Sequence, residues 1–356
     1  VNTRTGGAPT AESPRFIQID EDGYFKMDDL RVADAEAGRE WLSHVQIDSR
    51  NRAVTKIGGE SVLIEAFDEP FIALDFRPKD EQSWLVTMPY GHVEICSLDS
   101  LTLDEWDRFH GRTERGVPFV LNRSAQDSFF NLLDEFDDES IVFKNKRYET
   151  RSWLSENAAV NEHQFWTNIY RTEQPRWDLG EPSHALPKLV PQLKLQRSRV
   201  LVPGAGAGHD AAWFAAQGHL VTALDFSEEA IKRARQKYQH LPNLTFMHAD
   251  IFQLPRSTDG AFDIVFEHTC YCAISPNRRN ELIKVWRRAL VENGHVMGVF
   301  FTMDKPVGPP YGGSEWELRS RLNKDFRPLY WTRLRDSREN RLGHELFVYA
   351  QKRSSL

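Results

Sequence analysis

Cysteine is scarce: Cys96, Cys270 and Cys272 are the only three in 356 residues. That is too few for a disulfide scaffold, and a reducing cytoplasm is the expected setting. No run of about 18 apolar residues occurs, the length a membrane-spanning helix needs. The opening stretch VNTRTGGAPTAESPRF lacks the apolar core of a signal peptide, and residues 1–14 read as a loose polar tail. Dense Lys/Arg blocks are missing too, and the net charge is −7. Nucleic acid and membrane are therefore not expected partners. Cys270 and Cys272 form C-x-C without partner ligands at metal spacing, so no metal is expected. No internal repeat is present. A hydrophobic fraction of 40% with 12% aromatics is that of a globular chain, long enough for two domains.

Residues 15–150 read as a β-rich accessory domain. FIQIDEDGYFKM carries an Asp-Gly turn between two alternating runs, and AVTKIGGESVLIEAF carries Gly-Gly. Both are hairpin signals. PFIALDF, SWLVTM and HVEICSL continue the strand pattern. Leu103–His110 and Ser124–Glu139 are expected helices, with VPFVL between them. No motif names a role for this domain; recognition or dimerisation is the default.

The boundary is placed in the polar stretch Asn145–Ser155. From 151 to 356 helices and strands alternate, which predicts a mostly parallel, Rossmann-like sheet with helices on both faces. Seven strands are expected: Arg199–Val202, Leu220–Asp225, Leu244–His248, Ile264–Glu267, His295–Thr302, Leu329–Asp336 and Glu345–Gln351. The last two flank the charged DSRENRLG and read as an antiparallel edge hairpin.

Gly204, Gly206 and Gly208 form G-x-G-x-G between the first strand and a helix. Glycine permits unusual dihedrals and close approach of a ligand, and the helix start offers free N–H groups. A dinucleotide loop needs a third glycine at position 209, which is His209, so NAD is disfavoured. Asp225 ends the second strand 17 residues after Gly208, where a carboxylate can accept ribose hydroxyls, and Phe226 follows it. In ADIFQLP, Asp250 is placed to accept from an adenine amino group, with Ile251 and Phe252 over the ring. FDIVFEH supplies a fourth strand ending at Glu267. A glycine loop followed by acids in this order suggests S-adenosylmethionine.

These residues resemble the core of class I S-adenosylmethionine-dependent methyltransferases. FWTNIYRTEQPRWDLGEP, FEHTCYCAISPNRR and MDKPVGPPYGGS narrow the resemblance to the thiopurine S-methyltransferase family with its halide and thiol methyltransferase relatives. The resemblance covers roughly 160–352. It implies that Trp166, Tyr170 and Trp177 line the cofactor, and that Gly204, Gly206, Asp225, Asp250 and Ile251 bind it. Relatives acting on thiopurines carry Arg after the strand-four acid; this chain has His268 there. The halide/thiol branch therefore looks closer, and the expected acceptor is a small soft nucleophile such as a thiol or halide.

Methyl transfer needs a nearly collinear nucleophile, carbon and sulfur in a water-poor pocket. Aromatic faces suit a sulfonium cation; Tyr271 and Tyr311 are further candidates, and Tyr271 is also an expected catalytic residue beside His268. His268 is the one plausible acid/base near the methyl site. The rival reading is a catalytically silent module that keeps the cofactor pocket while the N-terminal domain recognises a partner.

Overall fold

The computed structural model describes residues 15–137, 139–151, 154, 157–172 and 175–354. The expected tail over residues 1–14 lies outside them. None of the helices among the described residues is long and apolar enough to cross a membrane. The chain divides into two compact units. One runs to Ser100 and resumes at His110–Leu133; the other comprises Leu101–Phe109 and everything from Asp134 onward.

In the first unit both hairpins form as the turn residues dictate. Gly23 takes φ +87° between Phe16–Ile19 and Phe25–Met27, and Gly58 and Gly59 take +59° and +84° between Ala53–Ile57 and Glu60–Ala66. These strands belong to a six-stranded sheet. A three-stranded meander, Asp75–Pro78, Trp84–Thr87 and Val93–Cys96, carries a buried aromatic knot. There Phe76 stacks on Trp84 at 4.8 Å while Phe129 meets both edge-on.

Two helix expectations fail. Leu103–His110 is instead two short strands joined by a turn. The Asp104 carboxylate accepts from the backbone N–H groups of Trp106 and Arg108 at 2.9 and 3.0 Å, and Asp107 sits at φ +57°. This side chain offers the backbone an alternative to helix. Ser124–Glu139 is helical only within Arg123–Phe130; the chain then enters a three-stranded sheet, Glu135–Asp137, Ser140–Phe143 and Lys146–Glu149.

That sheet lies in the second unit, so the division between units does not fall in the stretch Asn145–Ser155. The Leu103 N–H bonds the Thr150 carbonyl at 3.2 Å. Glu105 pairs with Arg321, and Trp106 meets Trp316 edge-on at 4.8 Å. The segment Leu101–Phe109 is thus part of the second unit's packing.

The main sheet of this unit has seven strands: β1 (Arg199–Pro203), β2 (Leu220–Asp225), β3 (Leu244–His248), β4 (Phe262–His268), β5 (Leu290–Phe301), β6 (Phe326–Arg333) and β7 (Glu345–Lys352). Their order is β3-β2-β1-β4-β5-β7-β6. β1 to β5 are parallel, while β7 runs antiparallel between β5 and β6, as expected. Side chains alternate between two faces. Val200, Val202, Ile264 and Phe266 pack with Phe214 on one face. Leu201, Val265 and Phe300 pack with Leu282, Ile283 and Trp286 on the other. Each fully buried large side chain contributes about 1.5–3 kcal/mol.

The helices that matter for the site are α1 (His163–Thr172), α2 (His209–Ala216), α3 (Glu228–Tyr238), α4 (Arg279–Ala289) and α5 (Glu315–Leu322). The strand order reverses between β1 and β4. The carboxyl ends flanking this switch point are where open α/β sheets place ligands. Gly204, Asp225 and His268 come to that edge.

Candidate active site

The glycine loop is held by backbone conformation and by contacts that leave no space for side chains. Gly204, Gly206 and Gly208 have φ of +59°, +54° and +82°. A Cβ on Gly204 would lie 2.7 Å from that of Cys270, and one on Gly206 would lie 2.7 Å from the Tyr170 hydroxyl. Asp225 braces the loop. Its carboxylate accepts from the N–H groups of Gly206 and Ser227, each at 2.8 Å. Burial raises its pKa, and the backbone donors only partly offset this. Each carboxylate oxygen has a further lone pair, so ribose hydroxyls remain compatible with this bracing.

Trp166, Tyr170 and Trp177, the residues expected to line the cofactor, come together. The indole of Trp177 donates to the Tyr170 hydroxyl at 3.1 Å and meets the Trp166 ring edge-on at 5.7 Å. The Trp166 indole donates to the Val160 carbonyl at 2.8 Å. Arg233 on α3 bonds the Tyr170 carbonyl. Further along, Asp210 accepts from the Ser183 N–H at 2.7 Å, and Arg341 donates to the Trp177 carbonyl at 2.8 Å.

After β2, Phe226 faces the His163 ring at 5.9 Å. After β3, Asp250 caps a short turn through the Phe252 N–H at 2.9 Å. Ile251 is buried in the core beside Tyr271 and Leu254. Phe252 is covered by the guanidinium of Arg278 at 3.5 Å.

The end of β4 departs most from expectation. Glu267 turns back to accept from the N–H groups of Cys270 and Tyr271 at 3.2 and 2.9 Å. Burial pushes its pKa up to about 7. His268 was the expected base, yet both its ring nitrogens are engaged. Nδ1 lies 2.7 Å from the Asp210 carboxylate, and Nε2 lies 3.2 Å from an Arg341 nitrogen. Burial disfavours the charged imidazole, but the Asp210 carboxylate outweighs it and raises the pKa. Burial likewise opposes ionisation of Asp210, and its His268 partner overrides this and keeps it low. In the neutral ring Nδ1 donates to Asp210, so Nε2 accepts from Arg341.

Tyr271, the other expected catalytic residue, is 3% exposed and donates to Glu317 at 3.2 Å. Glu317 also holds Arg279 at 3.0 Å and Arg321 at 2.6 Å. The tyrosine hydroxyl is thus committed to a buried ionic network. That network reaches the glycine-proline loop, since Arg279 also faces the Tyr311 carbonyl at 3.4 Å.

Arg341 and Asp210 are the residues that sequence reasoning missed. Asp210 directly follows the glycine loop, a position open to notice. Arg341 lies in the charged β6–β7 connection and carries no local signal. It also revises the contrast drawn from His268: a permanent guanidinium does stand at this point, brought from elsewhere in the chain.

A family model described as thiopurine S-methyltransferase (TPMT) matches residues 161–346. The chain belongs to this family. It is 31% identical over 162 residues to "Probable thiol methyltransferase 2" of Arabidopsis thaliana, covering 44% of this chain and 69% of that protein. Identity is 32% over 150 residues to thiocyanate methyltransferase 1 of the same plant, with 41% and 65% covered. It is 30% over 166 residues to 2-heptyl-1-hydroxyquinolin-4(1H)-one methyltransferase of Mycobacteroides abscessus, with 45% and 69% covered. The protein is an S-adenosylmethionine-dependent methyltransferase. The side-chain-free cradle at Gly204 and Gly206 and the buried Asp225 fit that cofactor.

Proposed function

We propose that the enzyme methylates a small, soft nucleophile that arrives already anionic, such as a thiolate, bisulfide or thiocyanate. The observation carrying this reading is His268, whose ring nitrogens face Asp210 and Arg341. No base stands ready there to remove a proton, and Arg341 supplies fixed positive charge. The names of the plant relatives, which speak of thiols and thiocyanate, support the same class. Bound S-adenosylmethionine supplies an electrophilic methyl group. Gly204, Gly206 and Gly208 leave room for it, Asp225 takes its hydroxyls, and Asp250 and Phe226 flank its base. Trp166, Tyr170 and Trp177 cover the site and keep water out. Arg341, oriented by His268 and Glu345, attracts and holds the anion. A cytoplasmic setting belongs to this reading and is supported by three buried, unpaired cysteines.

The test is transfer from labelled S-adenosylmethionine to bisulfide, thiocyanate, iodide, a thiopurine and a hydroxyquinolone. Bisulfide, thiocyanate or iodide should lead. Transfer to a thiol should follow its thiolate fraction with pH. His268→Ala should slow bisulfide and iodide by equal factors, since the ring positions Arg341 and takes no proton. A loss confined to the thiol substrate would restore His268 as base. Exclusive turnover of the hydroxyquinolone would overturn the soft-anion reading.

A further inference from the structure

His209 occupies the place where a dinucleotide loop requires glycine, and the structure gives its side chain a task. The ring is nearly buried. Its Nδ1 lies 2.7 Å from the Tyr238 hydroxyl on α3, and its Nε2 lies 3.1 Å from the Asp178 carboxylate. We propose that His209 is a positioning residue: it latches the aromatic segment onto the first turn of α2 and thereby sets the affinity for S-adenosylmethionine and its demethylated product. This rests on the assignment of Gly206 and Trp177 to the cofactor site.

The route is short. Asp178 follows Trp177, and its Oδ1 also accepts from the Gly180 N–H at 2.8 Å, so the carboxylate fixes the local turn. Trp177 holds the Tyr170 hydroxyl, and that hydroxyl rests against Gly206. His209 itself follows Gly208 directly, with its backbone inside α2. The latch therefore joins the cover of the site to the loop beneath it through one carboxylate–imidazole contact. Asp178 only accepts, so Nε2 carries a hydrogen, and in the neutral ring Nδ1 accepts from Tyr238. The tyrosine hydroxyl both donates and accepts. It satisfies Nδ1 in the neutral and in the protonated ring alike, so the latch survives a change of protonation. Without it, Trp177 and Tyr170 would sample more conformations in the free protein. Ligand binding would then bear the cost of ordering them.

Calorimetry with S-adenosylhomocysteine on the full chain tests this without knowledge of the acceptor. His209→Ala and Asp178→Ala should each weaken binding about tenfold, the scale of one charge-assisted hydrogen bond. The double variant should lose clearly less than the sum of the single losses, because both remove the shared carboxylate–imidazole contact. His209→Gln, whose amide can still donate to Asp178, should recover most of the loss. Unfolding midpoints of the ligand-free variants should stay within about 3 °C of the parent. Affinities within twofold of the parent, losses that add in the double variant, or a loss in His209→Gln as large as in His209→Ala would each overturn the latch. Failure of the parent itself to bind would overturn the cofactor-site assignment instead.

Discussion

Glu267 shows how one carboxylate can be used for shape at a cost in charge. Its oxygens tie down the turn after β4, and burial lifts its pKa from the ordinary 4.5 to about 7. A group whose folded pKa is raised favours the folded state most when protonated. Stability therefore falls as pH rises from 4.5 to about 7, by about 3 kcal/mol for this group. Glu267→Gln removes the charge and keeps one acceptor oxygen, for the Tyr271 N–H, while its NH2 group can no longer accept from Cys270. Its effect on the free energy of unfolding should be more favourable at pH 8 than at pH 5 by about 2 kcal/mol, on top of a pH-independent loss of the Cys270 bond. Denaturant titrations at the two pH values check this; equal effects at both would mean that Glu267 is not the titrating group. At this scale the sequence showed where acids end strands. It did not show which way they point. Asp225 and Glu267 both bond backbone within a few residues or within the facing loop, and that depends on turns with no residue-type signature. The partnership of His268 with Asp210 and Arg341 spans 58 and 73 positions, so nothing local announces it.

Elements were more legible than side chains. The strands of the main sheet are apolar runs with turn residues at both ends, and the glycine loop between β1 and α2 gains its reading only together with the acids that follow it. Helix was wrongly expected where a short polar side chain captured the backbone, as Asp104 does. Periodicity in so short a stretch cannot reveal that competition. The glycine loop also offers the sharpest element-scale test. Gly206→Ala introduces a left-handed alanine and drives its Cβ to 2.7 Å from the Tyr170 hydroxyl. Gly218 has φ +90° but open space around it, so Gly218→Ala adds backbone strain alone, about 1–2 kcal/mol. Binding of S-adenosylhomocysteine should weaken at least tenfold in Gly206→Ala and stay within twofold in Gly218→Ala. Calorimetry on both variants separates loss of the pocket from loss of stability.

For the whole molecule, the sequence shows two characters of chain but misplaces their division. A fragment 150–356 would hold all seven strands of the main sheet. It would lack the sheet Glu135–Glu149 and the segment Leu101–Phe109, both part of the same compact unit. It would also lose Glu105, a carboxylate paired with the buried Arg321. Arg321 would keep Glu317 at 2.6 Å but lose one of the two carboxylates that balance it. The fragment should unfold at markedly lower denaturant than the full chain or be recovered insoluble. A fragment matching the full chain's stability would show these pieces to be dispensable.

The path of the backbone between the units has a consequence for inheritance. The chain passes from one unit to the other after Ser100, returns after Phe109 and crosses again after Leu133. A methyltransferase simply appended to a neighbour can be gained or lost by one cut in its gene. Here no single cut separates the two: every breakpoint that frees one unit strands a piece of the other. A single breakpoint between the units therefore leaves one of them without a segment that packs in it.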